Sequence, residues 1–311
     1  MLLAIDCGNT NTVMGLYDGN KKIDQWRMAT DANRTAEDHA FWLHHHMEKS
    51  GHHMDAIDGV VISTVVPSCL RAYKGLAQDH LKADCFVIDP SRSDHGVDIK
   101  IPEPRQAGAD RIANTAGVSI YPLPAMVIDF GTATTFDLVD ETGAYIGGAI
   151  APGVNLSITA LAQAAAQLPL IETSVWSDDL PVLGRTTVDA MNSGLYYGYV
   201  SLVEGMITRL KKDYGKDMTV VATGGLSQLF SQAIDGVDHH DADLTINGMA
   251  LIYAKHKENN DKTSKQYPGP MVWRRFDLRA AWWVWRNWHE RQSFPFQRSM
   301  VDGRFGHQFP R

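Results

Sequence analysis

The sequence predicts an α/β protein built of two similar halves, and three observations lead there. Short apolar runs closed by turn residues alternate with segments of helical period, as strands and helices do around a sheet. Sliding the chain over itself by 123 residues lays IDCGNTNT (5–12) on IDFGTATT (128–135), so that isoleucine, aspartate, glycine and the last threonine coincide. Finally, 311 residues of which 44% are hydrophobic are too many for one small core and suit two compact domains.

The elements follow in order. In MLLAIDCGNTNTVMGLYD, residues 2–5 and 12–17 read as strands around a polar turn, because short apolar runs flank small residues that tolerate unusual dihedrals. An amphipathic helix is expected over Thr35 to Ser50. DGVVISTVVP (58–67) and DCFVIDP (84–90) read as buried strands, rich in Val and Ile and ended by proline. PRQAGADRIANTAG (104–117) holds a Gly-Ala-Asp-Arg turn that opens a helix. A third glycine-rich turn, VVATGGLSQLF (220–230), again follows an apolar strand and precedes a helical pattern. LTINGMALIYA supplies the last helix of the second half.

Composition narrows the function. A net charge of -7 gives no overall basic field to draw nucleic acid, which leaves small-molecule chemistry as the expectation. Cys7, Cys69 and Cys85 form no CxxC pair and leave one over in any disulfide scheme, which suits a reducing cytoplasm. The start MLLAIDCG has no basic region and is broken by Asp6, so it is not read as a signal peptide. No uninterrupted apolar stretch approaches a membrane span.

Phosphate binding needs backbone N–H groups aimed at one spot, small side chains and a carboxylate for the accompanying metal. Asp6, Gly8, Asn9, Thr10 and Asn11 supply all three. Alone, the turn also reads as an ordinary hairpin. The second copy, with Asp129, Gly131, Thr132 and Thr134, favours a clamp of two facing hairpins around a nucleotide polyphosphate. Neither GxxxxGK[ST] nor GxGxxG occurs, so P-loop and dinucleotide fingerprints do not apply. At the helix opening, Asp110 could accept a hydroxyl proton and Arg111 could pair with a carboxylate or phosphate. The plainer alternative there is a helix cap with a solvated arginine.

IDCGNTNT, GADRIANTAG, IDFGTATTFDLVD, GAYIGGAIAPG and GRTTVDAMNSG, in this order and spacing, resemble type III pantothenate kinase over roughly residues 1–257. The resemblance implies the actin-like ATPase and sugar-kinase superfamily, with two ribonuclease-H-like domains and ATP in the cleft between them. The expected division is residues 1–117, 118–258 and an atypical tail, 259–311. It also implies ATP-dependent phosphorylation of the primary hydroxyl of pantothenate, at the start of coenzyme A synthesis. Carried over by position, Asp6, Cys7, Gly8, Asn9, Thr10, Asn11, Thr12 and Val13 would bind the ATP phosphates, with Asp6 near Mg2+. Gly108, Ala109, Asp110 and Arg111 would contact pantothenate, with Asp110 as the base. Asp129 would ligate a monovalent cation, K+ or NH4+, Thr132 would touch ATP and Thr187 would contact pantothenate. Ile101 stands where many members carry a substrate-contacting tyrosine, and GRTT replaces a GKNT-like string. The family is homodimeric, with the substrate site near the subunit interface. The alternative on the same fold is a regulatory protein like the Bvg accessory factors. A third reading is a superfamily kinase acting on a different hydroxyl or carboxylate.

The histidines of FWLHHHMEKSGHHMD (41–55) point in different directions on a helix and are read as surface, not metal ligands. His239, His240, Asp241 and Asp243 are read as a polar loop. Residues 271–311 hold five of the eight tryptophans, eight arginines and no lysine, a composition unlike the rest. AAWWVWRNWHE (280–290) could form an interfacial helix. Back-translated and read one nucleotide later, WWVWRNWHE instead resembles GGxGEIGMN near the start of ribonuclease J proteins, so the tail is read as a shifted frame with no catalytic role.

Overall fold

The computed structural model describes residues 1–266 apart from 178, 231 and 232. Of the expected tail, 259–266 belong to the last helix, Leu244–Gln266, and the remainder, with the readings made for it, lies outside the described residues. Met1–Asp261 form one compact unit that holds two five-stranded sheets.

The first sheet contains β1 (Leu2–Cys7), β2 (Asn11–Asp18), β3 (Lys21–Ala29), β4 (Gly59–Thr64) and β5 (Asp84–Val87), in the order β3-β2-β1-β4-β5. The second contains β6 (Ala125–Phe130), β7 (Ala133–Val139), β8 (Tyr145–Pro152), β9 (Thr219–Thr223) and β10 (His239–His240), in the order β10-β9-β6-β7-β8. Read from the other edge, the second order repeats the first. Pairing repeats as well: each first strand runs antiparallel to the next one in sequence and parallel to the fourth. The duplication in the sequence is therefore a duplication of a ribonuclease-H-like sheet.

The match is not a rigid slide. Cys7 pairs with Thr12 across a four-residue turn, whereas Phe130 pairs with Thr134 across three. The offset is 123 residues on the first strand and 122 on the return, so Thr12 corresponds to Thr134. The coincidence of Thr12 with Thr135 is a chance of composition.

Strand alternation fixes which side each aspartate faces, since successive side chains point to opposite faces. Leu3, Ile5 and Cys7 enter a core under α1 (Ala36–Lys49) and α2 (Pro67–Gly75). Ala4 enters the core shared with α3 (Ala109–Val118) and α6 (Leu244–Gln266), and Asp6 follows Ala4 on that inner face. In the second sheet, Met126, Ile128 and Phe130 face outward to α4 (Val154–Ala164) and α5 (Thr187–Tyr214), while Ala125 and Val127 face inward. Asp129 thus ends the inner row of β6 as Asp6 ends that of β1.

The expected helix over 35–50 is α1, begun by a capping box in which the Thr35 hydroxyl and Asp38 carboxylate satisfy each other's backbone N–H. The reading of the first half omits β3, whose KKIDQWRMA mixes charged and apolar residues along an edge strand. After β9 the glycine turn leads into a short 3₁₀ helix, Ser227–Phe230.

Candidate active site

The two hairpin turns, the N-terminus of α3 and the turn after β9 surround a cleft of about 550 Å³. Asp6, Gly8, Asn9, Thr10, Asn11 and Val13 line one side; Asp129, Gly131 and Thr132 line the other, and Asp110 lies between them. The turns are tied internally, Gly8 N–H donating to Asn11 O at 3.0 Å and Gly131 N–H to Ala133 O at 3.1 Å. At their tips the hydroxyls of Thr10 and Thr132 meet at 2.8 Å.

Two glycines are set by close approach. Gly224 has φ +92, and a Cβ there would stand 2.4 Å from Asp129 Oδ1 and 2.7 Å from Phe130 N, so only glycine lets this turn press against β6. A Cβ on Gly108 would stand 2.2 Å from Asp110 Oδ1, so the residue before α3 makes room for the carboxyl to fold back over the helix start. There it accepts from the Arg111 backbone N–H at 2.8 Å.

Asp6, Asp110 and Asp129 are half-buried and keep surface toward the cleft. Protein packed around Asp6, with the charges of Asp110 and Asp129, pushes its carboxyl up to about 7, against a downward pull from Arg27. Burial and the charge of Asp110 push Asp129 up to about 6, against the amide of Asn114. Asp110 is raised by burial, opposed by its backbone hydrogen bonds and by Arg111. Each carboxylate makes its neighbours harder to ionise, and a cation among them reverses that balance.

Behind Asp110 lies a second polar cluster. Arg111 Nε stands 3.4 Å from Asp137 Oδ1, and Nη1 donates to Tyr145 Oη at 2.8 Å. Asp137 has no exposed surface and takes a 2.9 Å bond from Thr135 Oγ1. Burial pushes its carboxyl up against the pull of Arg111, and its charge helps hold the guanidinium protonated. Arg111 Nη2 is buried and, among the described residues, without a hydrogen-bond partner. Ile101 belongs to the same neighbourhood, packing with the core that includes Ala109 and Tyr145.

Several expected site residues lie elsewhere. Cys7 is wholly buried in the outer core, and Thr12 is buried in a chain running from Tyr73 Oη to Thr12, Thr30 and the Gly8 carbonyl, with bonds of 3.0, 3.0 and 2.8 Å. Alternation turns both side chains away from the cleft, and Thr12 acts on the turn from behind. Gly108 caps α3 and Ala109 is buried at its start. Thr187 is exposed at the start of α5 and does not line the cleft.

Sequence reasoning missed Asn114, Asp137, Thr223 and Arg27. Asn114 Nδ2 donates to Asp129 Oδ2 at 3.3 Å, and Asn114 Oδ1 accepts from Thr245 Oγ1 at 2.7 Å. Its spacing of four from Asp110 puts both on one face of α3, and that signal could have found it. Thr223 pairs in register with Asp129, and its buried hydroxyl has no partner among the described residues.

Among the described residues no group of three His, Cys, Asp or Glu side chains could hold a metal ion. One carboxylate with phosphate oxygens and water suits Mg2+, which seldom occupies an all-protein cage. Asp129, with the unpartnered Thr223 hydroxyl opposite it, offers oxygen donors for a cation without a full protein shell. Both groups fit.

Duplicated ribonuclease-H-like sheets, each bringing an aspartate and a glycine turn to one cleft, define the actin-like ATPase and sugar-kinase class of fold. Two solved structures show the same fold: a protein from Campylobacter jejuni described as a Baf family transcriptional activator (18% identity, TM-score 0.52, covering 83% of this chain and 99% of that one), and the activator of the 2-hydroxyisocaproyl-CoA dehydratase from Clostridium difficile with bound ADPNP (13%, 0.50, 87% and 99%). The family model for type III pantothenate kinase matches residues 2–209. The chain is 45% identical over 257 residues to the type III pantothenate kinase of Caulobacter vibrioides, covering 82% of this chain and 98% of that protein. To the one from Maricaulis maris it is 44% identical over 254 residues, covering 81% and 97%. The chain belongs to the type III pantothenate kinase family.

Proposed function

We propose that the protein transfers the γ-phosphoryl group of ATP to the primary hydroxyl of pantothenate, giving 4′-phosphopantothenate at the first step of coenzyme A synthesis. Membership of the family supports the reading, and the observation that carries it is Asp110: a carboxyl at a helix start, between two aspartate-bearing hairpins, with Arg111 beside it. Gly8 to Asn11 and Thr132 hold the phosphates. Asp6 holds Mg2+, which supplies charge neutralisation of the phosphates. Asp129 holds a monovalent cation, with Asn114 orienting its carboxylate. Arg111 takes the pantothenate carboxylate, and Asp110 orients the hydroxyl and accepts its proton. Positioning and charge neutralisation dominate phosphoryl transfer, so these residues need supply no covalent chemistry.

We further propose lobes of residues 1–117 and 118–258 and a cytoplasmic homodimer whose interface brings Thr187 to the substrate. Ile150, Leu170, Leu183 and Val188, exposed on the second half, are apolar surface that such an interface could cover. No helix of the described residues is long and apolar enough to cross a membrane. The regulatory alternative is not favoured: the relatives at about 45% identity are named as kinases, whereas likeness to the Baf protein is one of fold. The test is an ADP-release assay with pantothenate, with and without potassium. Pantothenate-dependent release stimulated by potassium is expected; none from folded protein overturns the reading.

A further inference from the structure

The cleft is lined by three carboxylates and, among the described residues, by one cationic side chain, that of Arg27. Its place follows from strand register. Asp6 of β1 pairs with Val13 of β2, and Val13 pairs with Arg27 of β3, so all three stand in one row across the sheet. Trp26 and Met28, on either side of it, face the core, while Arg27 is exposed. Its guanidinium reaches over to the second half: a Cβ built on Gly225 would lie 3.3 Å from Nη1. The arginine ion pairs of the described residues belong to Arg92 and Arg111, and Arg27 has no carboxylate partner among them.

A cleft that takes a polyphosphate among three aspartates needs positive charge beyond any bound cation, and an unpaired guanidinium on its wall supplies it. We propose that Arg27 is a catalytic residue that grips the terminal phosphoryl group from β3, spanning to the Gly224–Gly225 turn. This rests on the kinase reading above. In the transfer, the substrate oxygen bonds to the γ-phosphorus while the bond to the β–γ bridging oxygen breaks. The electron pair leaves with ADP, and the hydroxyl proton passes to Asp110. Charge grows on the bridging oxygen, where a planar guanidinium can present two N–H groups at fixed spacing.

The test compares wild type, Arg27→Ala and Arg27→Lys in the full chain. Wild-type ADP release with pantothenate is measured first, then turnover, then calorimetric affinity for a magnesium complex of a non-hydrolysable ATP analogue. For Arg27→Ala, turnover falls roughly 10²- to 10³-fold, as when one electrostatic donor is lost from an active site. Analogue affinity falls on the order of ten-fold, as for a lost charge-assisted hydrogen bond. The pantothenate KM and melting temperature stay unchanged, added guanidinium ion restores part of the turnover, and Arg27→Lys stays below wild type. An active wild type whose alanine variant keeps both turnover and analogue affinity within about threefold overturns the role of Arg27, with the kinase reading intact. If wild type releases no ADP with pantothenate, the kinase reading fails, and analogue affinity alone then decides: loss supports the phosphate grip and no loss overturns it.

Discussion

The hydroxyls of Thr10 and Thr132 hydrogen-bond at 2.8 Å and so join the tips of two copies of one hairpin. The bond is exposed, so its value is set by competition with water. A double-mutant cycle with Thr10→Val and Thr132→Val, read by urea unfolding, should give a coupling of about 0.5–1.5 kcal/mol. Strict additivity would show that the tips do not meet in solution.

For Asp110→Asn, turnover should fall roughly 10²- to 10⁴-fold, the range for loss of a general base. Affinity for an ATP analogue should change little, because the amide keeps the volume and hydrogen bond at the start of α3. Steady-state kinetics beside calorimetry check both halves, and near wild-type turnover would remove Asp110 from the mechanism.

The carboxyls at Asp6 (about 7) and Asp129 (about 6) titrate with Asp110 as one set, not as separate sites. Their folded pKa values lie above the unfolded ones. The stability they contribute is therefore full below the ordinary aspartate range and is lost as pH rises through about 6 to 7. Ligand-free protein should thus lose stability from this set between about pH 4 and about pH 7, with little further change above, and Mg2+ with nucleotide, by favouring the ionised forms, should flatten the slope. Activity should run the opposite way and decline toward acid. Urea midpoints across this range, for wild type and Asp6→Asn, test the claim; an identical slope in the variant would sink it.

Asp137→Asn leaves the Arg111 guanidinium without its buried partner. Breaking such a pair costs about 3–5 kcal/mol where both charges are out of water, and the 13% exposure of Arg111 places this one toward the lower end. The pantothenate KM should rise more than turnover falls, because Asp137 positions Arg111, which in the proposed mechanism holds substrate and does not react. Denaturation and kinetics on the same sample distinguish this from general damage to the fold.

How much was legible depended on whether chemistry lay in the repeated pattern. Asp6 and Asp129 could be read because they close short, continuous apolar runs, and Asp110 because a glycine turn introduces it. Asn114 shared a helix face with Asp110 but sat among small residues that looked like packing. Asp137 lay inside a strand, and nothing in FDLV says that its partner arrives from a helix 26 positions earlier. Arg27 was hidden with β3, whose charged edge masks the strand pattern. Cys7 and Thr12 come with the cleft through the family resemblance, which carries over residues 6–13 as one run, although a pleated strand sends neighbouring side chains to opposite faces.

The one-residue difference between the turns has its own consequence. Two identical turns would make the facing walls of the cleft equivalent. With four residues at Gly8–Asn11 and three at Gly131–Ala133, the two walls differ in shape although the sheets behind them repeat. A polyphosphate held between them, as proposed above, would therefore meet a longer turn on one side and a shorter one on the other, and the repeat gains a direction.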